Sequence, residues 1–316
     1  MPRVTLGLPT HERHEYLEAA IESCLAQDFD DYELLICLDG TRSPETLAIV
    51  ERAADADARV RVARHERNRG IAAAINTIVR EARGELIALT GDDDLCARDR
   101  LTRQVAVFDR HPDTGVVHGD AEIIDSAGRV TGEWRSRDFS RHGLVRSLFR
   151  EHNFIVDPST MRHRRVHEAL GPVDEGLPWE DFAFHVRAAR RFRYRHCGGA
   201  PVVRYRRHGG NASLEGDPRE LELVETVLWR ALDEYDLEEL VPELDWPVLD
   251  RREGERRALL VLADAFERRG LPLPGLAARV RERAAAIPAP ARTRTPATGA
   301  RPRRIVMTSF GFDDPG

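Results

Sequence analysis

Along the first hundred positions, short apolar blocks take turns with amphipathic stretches. "RVTLGLP" is a β-branched and apolar run, and "YLEAAIESCLA" follows with Leu17, Ala20, Ile21, Cys24 and Leu25 at helical spacing. "YELLICL" is a continuous apolar block of the kind a parallel strand buried on both faces requires. It leads into "SPETLAIVERAA", where Ser43 stands as an N-cap and Pro44 at the first helical position. "RVRVARH", the helical "IAAAINTIVREA", a stop at Gly84 and the strand "ELIALT" continue the alternation. Strand-helix units in such succession predict an α/β fold, a mostly parallel sheet with helices on both faces. Ligands of these sheets sit beyond the carboxyl ends of the strands. The loops there are "PTHER", "LDGTRS", "HERNRG" and "TGDDDL", all rich in polar and charged residues.

Further on, a helix is expected around Asp99 to Arg110, and "TGVVHGDAEIIDSAGRV" reads as two antiparallel strands around the turn "DSAG". A mixed stretch follows, including "NFIVDPSTMRHRRVHEALG". "PWEDFAFHVRAARRF" has the acidic first turn of a helix, and "PVVRYRRH" is a strand ending in "GGNAS". From about Pro218 to Ile287 the pattern is wholly helical. The expected organisation is a catalytic domain over 1–215, a helical subdomain over 216–288, a Pro/Ala/Arg linker over 289–304, and over 305–316 either the start of a further domain or a frayed tail. The first of these two endings would make the chain a fragment of a longer, multidomain protein.

A net charge of -6 argues against nucleic acid as the main partner. All 48 basic residues are Arg, as a GC-rich genome would favour, so chemistry through a lysine Schiff base or a Walker-type lysine is excluded. Cys24, Cys37, Cys96 and Cys197 form no close-spaced pair and read as buried thiols of a cytosolic protein. No apolar run approaches the roughly 18 residues of a membrane span, and the N-terminus does not read as a secretion signal. The expected location is cytoplasmic, with peripheral membrane association left open and no reading of oligomeric state.

"LTGDDDLC" sets Asp92, Asp93 and Asp94 side by side after a buried strand. Adjacent carboxylates repel one another unless a cation or hydrogen-bond donors intervene, and oxygen-only ligation favours Mg2+ or Mn2+ held together with substrate phosphates. A solvated acidic loop or a helix cap would present the same letters.

The ordered series "LGLPTHER", "LDGTRS", "NRGIAAAIN", "LTGDDDL", "WEDFAFHVRAA" and "YRRHGGNAS" resembles the family 2 glycosyltransferases, over about Val4 to Ser213. The resemblance implies the GT-A fold, Rossmann-like, and a nucleoside diphosphate sugar, commonly a UDP-sugar, as donor. It implies that Pro9, Thr10, His11 and Arg13 form the loop holding the base, with His11 replacing the family's usual Tyr. Asp39 matches the carboxylate that hydrogen-bonds the base, and Asn68 and Gly70 match the turn over the nucleotide. Where many members carry an Arg before the Asn of the next turn, this chain has Ile75 before Asn76, with Arg69 as a conceivable substitute. Asp94 matches the metal ligand. Because Gly91 stands where many members have a leading Asp, Asp92 and Asp93 compete for the second role. His208 is implied as a further metal ligand, and Arg206 and Arg207 as contacts to the diphosphate.

Inverting transfer needs a carboxylate that takes the proton of the acceptor hydroxyl. Glu180 and Asp181 open a helix and resemble the family's "ED" pair, with Asp181 as the base; the helix dipole is expected to keep it ionised. Trp179 either stacks on an acceptor sugar or packs in the core. The acceptor would be a glycan, a lipid-linked sugar or a small molecule, most plausibly in bacterial surface polysaccharide synthesis. The competing reading is a catalytically degenerate GT-A domain that binds nucleotide-sugar or scaffolds a partner; Asp39, Asp94 and Asp181 disfavour it.

Overall fold

The computed structural model describes residues 1–136, 138–151, 153–177, 180–209, 218–269 and 272–288. Trp179, the sequon at Asn211, the linker and the tail lie outside them.

The N-terminal alternation folds as read: β1 (Val4–Thr10), α1 (Leu17–Leu25), β2 (Tyr32–Asp39), α2 (Pro44–Ala56), β3 (Val60–His65), α3 (Ile71–Glu81) and β4 (Leu86–Leu89). Ser43 caps α2 by accepting from the Thr46 N–H, as its position before Pro44 predicts. β1 pairs in parallel with both β2 and β4, and β2 with β3. Strand residues alternate between two apolar clusters. Leu34, Ile36 and Leu38 face α1 and α2, whereas Leu35 and Cys37 face α3. This two-sided burial is why β2 carries no polar residue between Leu34 and Leu38.

The chain continues through β5 (Leu95–Cys96), α4 (Arg100–Arg110), β6 (Thr114–His118), β7 (Ala121–Ile124), β8 (Val130–Trp134) and α5 (Arg141–Arg150). A 3-10 turn (Asp157–Ser159) leads to β9 (Met161–His163), α6 (Arg164–Leu170), α7 (Glu180–Arg191), β10 (Arg193–His196) and β11 (Val203–Arg206). The seven-stranded main sheet has the order β10-β6-β9-β4-β1-β2-β3, with β9 antiparallel to both neighbours. A second sheet of four strands has the order β5-β11-β7-β8. "TGVVHGDAEIIDSAGRV" thus supplies three strands: the "DSAG" turn joins β7 to β8 as expected, while "TGVVH" enters the main sheet as β6.

Four helices end the described chain: α8 (Pro218–Ala231), α9 (Leu237–Leu240), α10 (Arg251–Arg268) and α11 (Pro274–Ala286). Their apolar faces share one cluster with α5, α6 and α7, through Leu148, Phe149, Val186, Leu228, Leu262 and Val280. Among the described residues no helix is long and apolar enough to cross a membrane.

Candidate active site

The polar loops after β1, β2, β3 and β4 gather at one edge of the sheet and hold one another. Asp39, the last residue of β2, is 4% exposed. Its carboxylate accepts from the N–H groups of Arg69 (2.9 Å) and Gly70 (2.7 Å) and from His65 Nδ1 (2.6 Å), whose other ring nitrogen meets Thr77 Oγ1 at 2.8 Å. Asp39 therefore braces the Asn68–Gly70 turn, while the Asn68 side chain bonds the Gly70 N–H at 2.9 Å. Gly40 adopts φ +69°, and a Cβ there would lie 2.1 Å from the backbone of Arg67 and Asn68, so only glycine lets the two loops approach this closely. His65 was not singled out by the sequence reading; its signal is its place at the carboxyl end of a strand, the same as Asp39's.

The loop after β1 carries backbone strain. Glu12, at φ 45°, is the one non-glycine residue with positive φ among those described, and its carboxylate accepts from the N–H groups of Arg42 (2.7 Å) and Ser43 (2.8 Å). Those two bonds fix the loop so that His11 Nδ1 donates to the Asp39 carbonyl at 2.7 Å. Pro9 lies within β1, in register with Cys37. Thr10, at its end, donates to Asp92 Oδ2 at 2.7 Å.

The three carboxylates after β4 have different surroundings. Arg13 sits between two of them, with Nε 3.2 Å from Asp92 Oδ1 and Nη1 2.6 Å from Asp93 Oδ2. His208 Nε2 is 3.0 Å from the same Asp93 oxygen and 2.7 Å from Arg13 Nη1. Asp94 is 1% exposed, and its Oδ1 accepts from the Arg206 N–H at 2.9 Å. Burial pushes the Asp92 carboxyl up to about 6, and burial together with the Asp93 charge pushes Asp94 well above the usual carboxylate range.

These contacts correct one expectation: Asp94, Asp92 and His208 do not converge as a set of three metal ligands, and no such set occurs among the described residues. Thr10 and the Arg13 guanidinium already engage Asp92, and Arg13 together with His208 also engages Asp93 Oδ2. The space beside Gly91 is different. A Cβ on Gly91 would lie 2.7 Å from Asp93 Oδ1 and 2.9 Å from Asp94 Oδ2, so glycine leaves two carboxylate oxygens facing one gap. That donor set fits an oxygen-ligated divalent cation completed by substrate phosphates. Asp93 thus has Oδ2 on Arg13 and His208 and Oδ1 beside Gly91 with Asp94 Oδ2, whereas Asp92 is held by Thr10 and Arg13.

Two basic residues are placed otherwise than expected. Arg206 is 5% exposed and spent on carbonyls, its guanidinium donating to Asp93 O (2.8 Å), Asp125 O (3.1 Å) and Ser126 O (3.2 Å), so it braces the loop and is withheld from a ligand. Arg207 is half-buried, its own N–H donating to Ile124 O at 2.8 Å, and its expected role is neither supported nor opposed by that bond. Arg69 pairs with Glu175 at 3.1 Å, while Ile75 is buried against the sheet, so neither replaces the missing Arg.

Glu180 and Asp181 open α7, and here the sequence reading is corrected. Burial, reinforced by the charge of Asp181, pushes Glu180 up to about 8. Burial and then the charge of Asp157 push Asp181 upward as well, against the N–H of Phe182, which donates to it at 2.7 Å. Desolvation outweighs the helix terminus. Asp157, His185 and Arg162 behind this pair were not foreseen; they are joined through Asp157 Oδ1, which accepts from Arg162 Nη2 and lies 3.1 Å from His185 Nε2. The 3-10 turn bearing Asp157 packs against both β4 and β11, the strands that lead to the Asp92–Asp94 loop and to His208. Buried Arg100 fastens the same junction, donating to Leu89 O and Thr160 O at 3.0 Å each.

Comparison with known proteins agrees with this architecture. The Staphylococcus aureus TarS fragment 1–349, solved with UDP-GlcNAc, superposes with a TM-score of 0.63 at 16% identity, covering 90% of this chain and 89% of that one. The mannosyltransferase PcManGT of Pyrobaculum calidifontis, solved with GDP-Man and Mn2+, gives 0.55 at 18% identity over 91% of this chain and 76% of its own. Both likenesses concern the GT-A fold. An uncharacterised glycosyltransferase of Methanocaldococcus jannaschii is 27% identical over 187 residues, 59% of this chain and 64% of that protein, so the match spans less than two thirds of its length. The family model "Glycosyl transferase family 2" matches residues 5–171, more than half of the chain. The chain belongs to glycosyl transferase family 2 and carries its GT-A fold.

Proposed function

We propose that the chain is an inverting, metal-dependent glycosyltransferase that moves a sugar from a nucleoside diphosphate sugar, with UDP favoured, to a hydroxyl of a glycan, lipid-linked or small-molecule acceptor, in bacterial surface polysaccharide synthesis. The observation that carries this reading is the junction of two carboxylate clusters: the turn bearing Asp157 packs on β4 and β11, and His185 of α7 bonds that same Asp157. A donor-side cluster and a base-side cluster are what a displacement at an anomeric carbon requires.

On the donor side, His11, Asp39 and the Asn68–Gly70 turn form the nucleotide wall. Asp94 and Asp93 would hold Mn2+ or Mg2+, which supplies charge neutralisation at the diphosphate. Arg207 and His208 face the same diphosphate. On the acceptor side, Asp181 takes the hydroxyl proton as that oxygen attacks from the face opposite the leaving group. A base whose pKa burial has moved toward neutrality is stronger than an exposed Asp.

A thermal-shift screen of UDP, GDP and dTDP and their sugars, with and without Mn2+, tests the reading. UDP is expected to raise Tm more with Mn2+ than without it. If no nucleotide stabilises the protein in a metal-dependent way, the proposal fails.

A further inference from the structure

Behind the proposed base lies a largely buried ion cluster of Asp157, Arg162 and His185. Arg162 is 1% exposed and His185 fully buried. The Arg162 guanidinium covers the Phe184 ring at 3.9 Å, and its Nε has no hydrogen-bond partner. His185 spans the gap between two elements, with Nε2 on Asp157 Oδ1 at 3.1 Å and Nδ1 on the Tyr194 hydroxyl at 2.9 Å. The carboxylate accepts, so Nε2 carries the proton and Nδ1 accepts from Tyr194. A buried charge held this fully is costly, and removing its partner leaves the other charge uncompensated.

The helix spacing gives the cluster a target. His185 follows Asp181 by four residues on α7, and residues four apart share a helix face. Asp157, bonded to His185, therefore stands beside the face that bears Asp181. We infer that Asp157 is a positioning residue for the transfer reaction: locked by Arg162 and His185, its fixed negative charge strengthens Asp181 as the base for the acceptor hydroxyl. This rests on the function proposed above.

The surrounding groups act in opposed directions. Asp157 from the 3-10 turn brings negative charge, whereas Arg162 from β9 and the Nε2–H of His185 from α7 oppose it; Glu180 from α7, pushed up to about 8, is neutral below that pH, Tyr194 from β10 is neutral, and His167 from α6 faces Arg162. Burial works to raise Asp157 too, but Arg162 and His185 outweigh it and hold that carboxyl far below the usual range. Asp157 thus stays ionised through the working pH range.

The test compares wild type, Asp157→Asn and Asp157→Glu in the full chain by two readouts: the pH profile of kcat/KM for sugar transfer, and an infrared titration of the Asp181 carboxyl band, identified by its loss in Asp181→Asn. Removing a negative neighbour lowers the pKa of Asp181, so in Asp157→Asn the acid limb and the infrared midpoint both move down by about one pH unit, and Asp157→Glu restores them. Should Asp157→Asn not fold by circular dichroism, Asp157→Ser, which keeps an acceptor for Arg162, carries the same comparison. An unchanged midpoint in a folded variant overturns the inference, even if activity falls. Absence of transfer in wild type, with the midpoint still shifting, overturns the proposed function and with it the role of Asp157 in transfer, whereas transfer in wild type with an unchanged midpoint overturns the role of Asp157 alone.

Discussion

Two carboxylate clusters, three residues each, meet their charge in opposite ways. Asp92 and Asp93 are answered by Arg13, a partly exposed side chain from the loop after β1. Among the described residues no ion pair answers Glu180 or Asp181; burial raises their pKa values, and Arg162, which acts on both, is committed to Asp157. In the first arrangement the pairing rests on a partly exposed guanidinium, which another cation can replace. The second is fixed, because moving any member exposes an unpaired charge in the core. A donor site that must load and release a charged ligand suits the former, and a proton acceptor that must hold its position suits the latter.

If the base-side pair is the fixed one, Asp181→Asn should have the largest effect, lowering kcat by roughly 10^2 to 10^4 while UDP still raises Tm as in wild type. A variant that keeps more than a tenth of its activity would remove Asp181 from the role. On the donor side, Asp94→Asn should weaken Mn2+-dependent UDP binding by about tenfold to hundredfold in calorimetry. Asp93→Ser should follow it, and Asp92→Ser should weaken metal binding least; the reverse order would restore Asp92 as the second ligand.

The pH dependence of stability separates the clusters further. Glu180 titrates at about 8 in the folded chain and near 4.3 unfolded, so its folded-state pKa is raised. The stability it contributes is present below about pH 4 and is lost as pH rises through about 8. Glu180→Gln removes that titration. The variant should therefore unfold at higher denaturant than wild type at pH 8, by on the order of 2 kcal/mol, with the gain vanishing toward pH 4. Parallel stability curves would show that burial does not control this pair.

The βα units up to β4 were legible because each strand is a block buried on both faces and each helix declares its start, as Ser43 and Pro44 do. The donor-side residues were legible for the same reason: strand ends mark ligand loops, and Asp39, Asn68, Gly70 and Asp92 to Asp94 all fall there. β6 was read into the wrong hairpin, since a five-residue strand carries no sign of the sheet it will join. Arg206, read as a ligand contact, became a brace, because its carbonyl partners come from residues 80 to 113 positions away.

The sequence by itself determined the alternation, the family pattern and the placing of Asp39 and Asp92 to Asp94 at strand ends, because these are local in the chain. Only the tertiary structure decided which carboxylates share a space, that Arg13 stands between Asp92 and Asp93, and that Asp157 and Arg162 lie behind Asp181. Those are facts about burial and about distance between remote segments. Desolvation and Coulomb energy depend on both, and neither quantity exists until the chain has folded.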